Sequence, residues 1–422
     1  MKKVIEFLEK IEPSKKESPF LHTLFDGFHT FLFAPKTVTT SGVHVRDGMD
    51  LKRTMVHVVL ALQLCYVFGT LNIGHQHYKA LGMYPGFLDG AHLKLLLGLT
   101  YLIPLFVVAH VVGLGIEFFY AAKKGHPIEE GFLVSGALIP LILPPDCPLW
   151  MVGLATAFAV IIGKEAFGGT GMNIFNIALL CRMFLFVSYP KEMVGDTIWL
   201  GGIEKGLVND AGLAYTGASY NWLADIFNWG LTKVGSVGFE ATSLMPVMDG
   251  VTGATPLGLS MEGGWQNVLS QYSVSQMFLG AIPGSIGESS KVLIILGAIF
   301  LCVTKIASWR IMASMILGAA IMAMLLNAGG VTDVPWWGQF AMGSFFFAMA
   351  FMATDPVTAA STNKGKYIYG FFIGLVGMLI RGRAYPEAWM LAILFMNVFA
   401  SLIDHYVIQG NINKRLARVA GN

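Results

Sequence analysis

Residues 249–255 read Asp-Gly-Val-Thr-Gly-Ala-Thr and end on Thr255, whose hydroxyl can be esterified through phosphate. That chemistry requires a modifying enzyme to draw the backbone into its own active site, which calls for an exposed, locally extended loop. Gly250, Gly253 and Ala254 supply a small, pliable approach. The plainer reading is a turn, since Gly and Asp mark turns and a chain with 49 glycines holds many of them.

Other polar groups lie at the edges of apolar sequence. In Gly168-Gly169-Thr170-Gly171-Met172-Asn173-Ile174-Phe175-Asn176, two amides stand three residues apart at a predicted helix start, where they share one face. Each can donate and accept, so the pair suits a ligand with a mixed polar edge, and capping by Asn173 is the ordinary alternative. Glu117, Asp355 and Asp404 are carboxylates at or beside apolar runs, where an acid is costly unless paired, hydrated or used. They suit a hard cation such as Na⁺, and a salt bridge at a helix end is the alternative. In Val111-Val112-Gly113-Leu114-Gly115-Ile116-Glu117 the glycines allow close approach of another element, a ligand or simply a neighbouring helix. Cys65, Cys147, Cys181 and Cys302 are scattered without metal-ligand spacing, so any electron carrier is expected to be organic.

The elements that must position these groups follow from composition. With 55% hydrophobic and 13% charged residues and a mean hydropathy of +0.63, the chain reads as an all-α polytopic membrane protein. A net charge of +2 gives no footprint for nucleic acid. Apolar runs at 54–73, 92–122, 131–145, 149–163 and 175–189, then 292–304, 311–329, 337–354, 367–380 and 388–403, predict about ten spans. Several are short, so tilted or broken helices are expected.

Two halves of five spans emerge, at 54–189 and 291–408, around a long polar loop segment at 190–290; residues 1–53 precede them and a basic tail, 409–422, follows. Pro144-Pro145-Asp146 and Thr354-Asp355-Pro356 end apolar runs at matching places, as expected of inverted repeats with a site between them. Ile5–Ile11 reads as an amphipathic surface helix or a solvated tail. With both basic ends cytoplasmic, Lys123, Lys124, Lys164, Lys305, Arg310, Lys364 and Lys366 fall inside and 190–290 falls outside. Arg381 and Arg383 run against that rule.

Further stretches carry a resemblance. His44-Val45-Arg46-Asp47, Asp50-Leu51-Lys52-Arg53, Gly163-Lys164-Glu165-Ala166-Phe167-Gly168-Gly169-Thr170-Gly171 and Ile282-Pro283-Gly284-Ser285-Ile286-Gly287-Glu288 come first. Ala307-Ser308-Trp309-Arg310, Phe351-Met352-Ala353-Thr354-Asp355-Pro356 and Ala384-Tyr385-Pro386-Glu387 follow. In this order they resemble the B subunits of Na⁺-translocating NADH:quinone oxidoreductases over nearly the whole chain, and 249–255 resembles the attachment sequence of flavin transferases. The D subunits of Rnf ferredoxin:NAD oxidoreductases share the core, but the basic N-terminal extension favours the quinone enzymes.

The resemblance implies FMN esterified to Thr255, with Asp249, Thr252, Gly253 and Ala254 recognised by the transferase, and a non-covalent riboflavin. It implies a bacterial inner-membrane subunit, embedded in lipid beside five others, that passes electrons to quinone coupled to Na⁺ export and is inactive alone. Asn173, Asn176, Thr354 and Asp355 are expected to form the riboflavin pocket. The positions matching Gly113 and Glu117 belong to the region where quinone-site inhibitors act. Glu117, Asp355 and Asp404 are the expected ion pathway. A cofactor-free transporter and a purely structural subunit are the rival classes, and bound flavin separates them from the redox reading. The chain has no convincing G-x-G-x-x-G dinucleotide fingerprint, so no NADH site of its own is expected.

Overall fold

A computed structural model of the chain describes residues 51–80, 84–124, 131–193, 197–199, 213–215, 244–246, 255–382 and 385–420, with residues 13, 25 and 41–43. The expectations for Ile5–Ile11, Asp249, Thr252, Gly253, Ala254 and Arg383 lie outside the described residues.

Each predicted apolar run is helical, because a segment without water must satisfy its backbone within itself. The first half holds α1 Leu51–Ala80, α2 Ala91–Lys124, α3 Phe132–Ile142, α4 Leu149–Gly163 and α5 Ile177–Ser188, followed by the turn-length α6 Pro190–Met193. Residues Leu213–Tyr215 and Leu244–Pro246 pair as two short antiparallel strands, β1 and β2. Then come α7 Pro256–Gln271, kinked at Gly263 and Gly264, and α8 Val274–Leu279, so the end of the expected polar loop is itself helical. The second half holds α9 Lys291–Val303, α10 Trp309–Ala328, α11 Trp336–Ala341, α12 Phe345–Phe347 continued by a π-helix over Ala348–Met352, α13 Asn363–Arg381 and α14 Ala388–Ala420. Among the described residues, α1, α2, α4, α10 and α14 are long and apolar enough to cross a membrane, whereas α3, α5 and α9 are apolar but shorter.

The halves share most of one packing scheme, although α1 packs along α2 and α9 has no comparable contact with α10. α2 packs on α4 and α4 on α5, as α10 packs on α13 and α13 on α14. The short α3 touches α1, α2 and α5, as the π-helical segment touches α9, α10 and α14. Contacts between halves run from α1 to α9 and from α5 to α14, the pairing that a two-fold relation between repeats requires. Gly287 sits at the junction: its N–H donates to the Leu141 carbonyl at 2.8 Å, and a Cβ there would press on Leu141 and Phe347 at 2.8 Å. Small residues let the backbones close up, since Cβ atoms on Gly370 and Gly374 of α13 would collide with the Ile311 and Met315 carbonyls of α10.

One expectation is corrected. The apolar run at 337–354 is not one helix, because the chain breaks between α11 and α12 at Gly343, whose φ of +68° is in the left-handed region. Arg381 fills the break, its Nη2 donating to the Met342 carbonyl at 2.7 Å and its Nε to Gln339 Oε1 at 3.3 Å. Arg381 is therefore a buried partner for broken backbone. α14 runs unbroken from Ala388 to Ala420, so most of the basic tail expected from 409 is helical.

Candidate functional site

The glycine-rich turn builds the first site. Gly168, Gly169 and Gly171 have φ of +120°, +107° and +90°, which delay α5 until Ile177. Asn173 and Asn176 thus precede the helix instead of sharing a face of it. Asn173 Nδ2 donates to the Phe175 carbonyl at 3.1 Å, whereas Asn176 is the N-cap, its Oδ1 accepting from Leu179 N–H at 3.2 Å. The capping alternative falls on the second amide.

Both amides line a cavity of about 760 Å³, counting its open mouth, and Thr354, Asp355, Thr170 and Lys164 line it too. The four residues expected to act together are brought together. Asn176 Nδ2 donates to Asp355 Oδ2 at 3.1 Å, and Asp355 also accepts from Thr358 Oγ1 and Val357 N–H at 3.1 Å each. Thr354 Oγ1 donates back to the Ala350 carbonyl at 2.7 Å. The walls mix apolar side chains with a few polar groups, as small-molecule sites do.

Glu117 reaches the same region through a partner that sequence reasoning assigned only to topology. Lys164 Nζ donates to Glu117 Oε1 with both side chains about 5% exposed, and Lys164 lines the cavity. Lys124 and Glu165 form a second pair at 3.1 Å, so two ion pairs tie the end of α2 to the turn after α4. Gly113 is a packing position, because a Cβ there would collide with the Phe132 ring at the start of α3. Asp404 is not in the cavity lining: its carboxylate accepts from Ser361 N–H at 2.6 Å, Thr362 N–H at 3.0 Å and the Thr362 hydroxyl, just before α13. These are hydrogen bonds from the residues that open α13, not the helix-end salt bridge expected as its alternative.

Thr255 borders a second cavity of about 540 Å³, counting its open mouth. It is half-buried with extended backbone, φ −72° and ψ 153°, and its Oγ1 accepts from Gly258 N–H at 3.2 Å as the N-cap of α7. The cavity is also lined by Arg182, Lys291, Ser285, Glu288 and Trp199. Arg182 donates to Glu387 Oε1 at 2.6 Å and Glu288 Oε1 at 3.2 Å, and its guanidinium lies 5.7 Å from the centre of the Trp199 ring. Ser285 Oγ and Arg182 Nε are buried with no hydrogen-bond partner, an arrangement that a bound polar ligand would relieve. Sequence reasoning gave these groups no role, although Ser285, Glu288 and Glu387 stand in stretches that carry the resemblance; a further signal was a charge, Arg182, inside an apolar run. Among the described residues no cluster of His, Cys, Asp or Glu suits a metal ion.

The NQR2, RnfD, RnfE family profile matches residues 38–413. The B subunit of the Na(+)-translocating NADH-quinone reductase of Chromohalobacter salexigens is 39% identical, covering 98% of this chain and 96% of that protein. The proteins of the same name from Ectopseudomonas mendocina and Azotobacter vinelandii are 38% and 37% identical, each covering 98% of both chains. The chain belongs to the NQR2, RnfD, RnfE family of membrane proteins, among the relatives of the Na(+)-translocating NADH-quinone reductase B subunits.

Proposed function

We propose that this chain is a redox subunit of a Na⁺-translocating NADH:quinone oxidoreductase, with FMN esterified to Thr255 and riboflavin in the cavity of Asn173, Asn176, Thr354 and Asp355. The observation that carries the reading is the surroundings of Thr255. The one hydroxyl that ends the attachment heptad opens on a cavity where Ser285 Oγ and Arg182 Nε lack protein partners. Those groups fit the polar edge of a flavin, and a phosphate on Thr255 would stand at the N-terminus of α7, where backbone amides and the helix dipole favour negative charge.

A bound flavin supplies the chemistry, taking two electrons together and releasing them singly. The chain's residues do the rest. Thr255 anchors, Asp249, Thr252, Gly253 and Ala254 serve recognition by a flavin transferase, and Arg182 with Ser285 orients the ring edge. Asn173 and Asn176 offer donors and acceptors to riboflavin, with Thr354 and Asp355 opposite. Gly113 and Glu117 belong to the quinone region. Glu117 and Asp355 serve Na⁺ movement, with Asp404 holding the start of α13 as a supporting element.

NADH oxidation falls to the other five subunits, and the complex sits in the bacterial inner membrane with both termini of this chain cytoplasmic. The test is Thr255→Val, which keeps the shape and removes the hydroxyl. The denatured wild-type subunit should fluoresce in gel and its peptide should carry the mass of FMN. The variant should assemble but show no band; undiminished fluorescence would overturn the reading.

A further inference from the structure

α10 and α13 run in the same direction. A Cβ on Gly370 would meet the Ile311 carbonyl and one on Gly374 the Met315 carbonyl, so the partner numbers rise together and both helices begin at one end of the bundle. There Trp309 and Tyr367 meet edge to face with ring centres 6.1 Å apart, and the Arg310 guanidinium lies 5.4 Å from the centre of the Trp309 ring. Tryptophan and tyrosine beside a cation are the side chains that settle at headgroup level in a bilayer. On α13, exposed Lys364 heads a stripe of exposed Ile368, Phe372 and Leu379, whose spacing keeps all four on one helical face.

Charge at this end is one-sided. No acid stands in residues 304–312 or 361–370, whereas Lys305 and Lys366 add to Arg310 and Lys364. Asp404, which reaches this end from α14, already accepts from Ser361 and Thr362. Among the described residues neither Arg310 nor Lys364 has a carboxylate partner. Lipid tails of any kind would cover the apolar stripe, but cations at its head select a lipid whose headgroup is negative.

We infer that this end of α10 and α13 binds an anionic phospholipid. Arg310 and Lys364 take the phosphate, Trp309 and Tyr367 stand at the glycerol region, and an acyl chain lies along Ile368, Phe372 and Leu379. The occupant is a lipid rather than a free anion because the cations head an apolar surface on a helix packed against α10, which is long and apolar enough to cross the membrane. The site is independent of the flavin reading.

The test labels the purified complex in detergent with a phosphatidylglycerol bearing a diazirine on one acyl chain, and reads the label by peptide mass on residues 363–381. Unlabelled phosphatidylglycerol should displace half of that label at a concentration at least about tenfold below that needed of phosphatidylcholine with the same chains. Glycerol phosphate, a headgroup without tails, should displace none. Arg310→Gln with Lys364→Gln should reduce the label at least about tenfold. Lys414→Gln with Arg415→Gln removes the same charge from the exposed end of α14 and should change the label less than about twofold.

No label on 363–381, as a neighbouring subunit covering this face would produce, overturns the inference. Equal displacement by the two lipids, displacement by glycerol phosphate, undiminished label in the Arg310, Lys364 variant, or an equal loss in the α14 variant overturns it as well. If the Arg310, Lys364 variant fails to assemble, Lys364→Gln alone decides: a loss of label of at least about threefold supports the site and an unchanged label overturns it.

Discussion

Asn176 Nδ2 donates to Asp355 Oδ2 at 3.1 Å, joining residues 179 positions apart and one from each half of the molecule. The same amide caps α5 through Oδ1, so the helix start and the cavity wall depend on one side chain. The contact lies where the glycine-rich turn of the first half meets the end of the π-helical segment of the second. It gives the two repeats a shared polar surface at the cavity.

Replacing that amide should separate stability from binding. Asn176→Leu removes a cap worth about 1 kcal/mol and leaves Asp355 with two of its donors. Asn173→Leu removes only a local bond to the Phe175 carbonyl. The double variant should assemble with a modestly lower melting temperature and lose riboflavin, measured by extraction and fluorescence against protein. Stoichiometric riboflavin in the double variant would contradict the pocket.

Gly113→Leu should act through Phe132. Because even an added Cβ would overlap the Phe132 ring, the larger side chain displaces the start of α3, whose neighbour Gly131 lines the cavity. The expected result is a several-fold rise in the inhibitor concentration for half inhibition and in quinone KM. Phe132→Ala should recover most of that change in the double variant, as steric coupling predicts. Additive effects would show that Gly113 acts independently of Phe132.

The three carboxylates should behave differently when neutralised. Asp404→Ala removes a carboxylate that accepts hydrogen bonds from Ser361 and Thr362 just before α13, costing about 1.5–3 kcal/mol, and should leave the Na⁺ dependence of turnover unchanged. Asp355→Asn and Glu117→Gln should each raise the Na⁺ concentration for half-maximal turnover several-fold. A common response of all three, or none, would contradict this division.

Arg182 is expected to be the most sensitive buried charge. Arg182→Met leaves Glu288 and Glu387 facing each other without their cation and should destabilise by about 3–5 kcal/mol. Ser285→Ala breaks no hydrogen bond to the protein and should cost less than about 1 kcal/mol. Thermal unfolding of the purified complex, with the Arg182→Met, Glu288→Gln, Glu387→Gln variant as the compensated control, distinguishes these cases. Equal loss from Arg182→Met and Ser285→Ala would be inconsistent with the observed partners.

The sequence by itself determined the helical class and nearly every helix position, because an apolar run with few charges leaves the backbone no partner but its own turns. It also marked the Asn pair, Asp355 and Thr255. The N-cap role of Asn176 and the start of α5 escaped it, since three left-handed glycines shifted the helix by about one turn. Arg381 looked like a misplaced loop charge until its hydrogen bonds to the α11–α12 break were visible. Only the tertiary structure decided what each acid does. In sequence Glu117 and Asp404 are alike, an acid near the end of an apolar run. In the fold, one meets Lys164 at a cavity 47 residues on, and the other holds the residues just before α13, 42 positions back at Thr362. Membrane helices that are apolar nearly all round carry a weak facial pattern, so their sequence does not say which side meets which neighbour. That choice is made when the helices pack, and with it each buried charge acquires its partner.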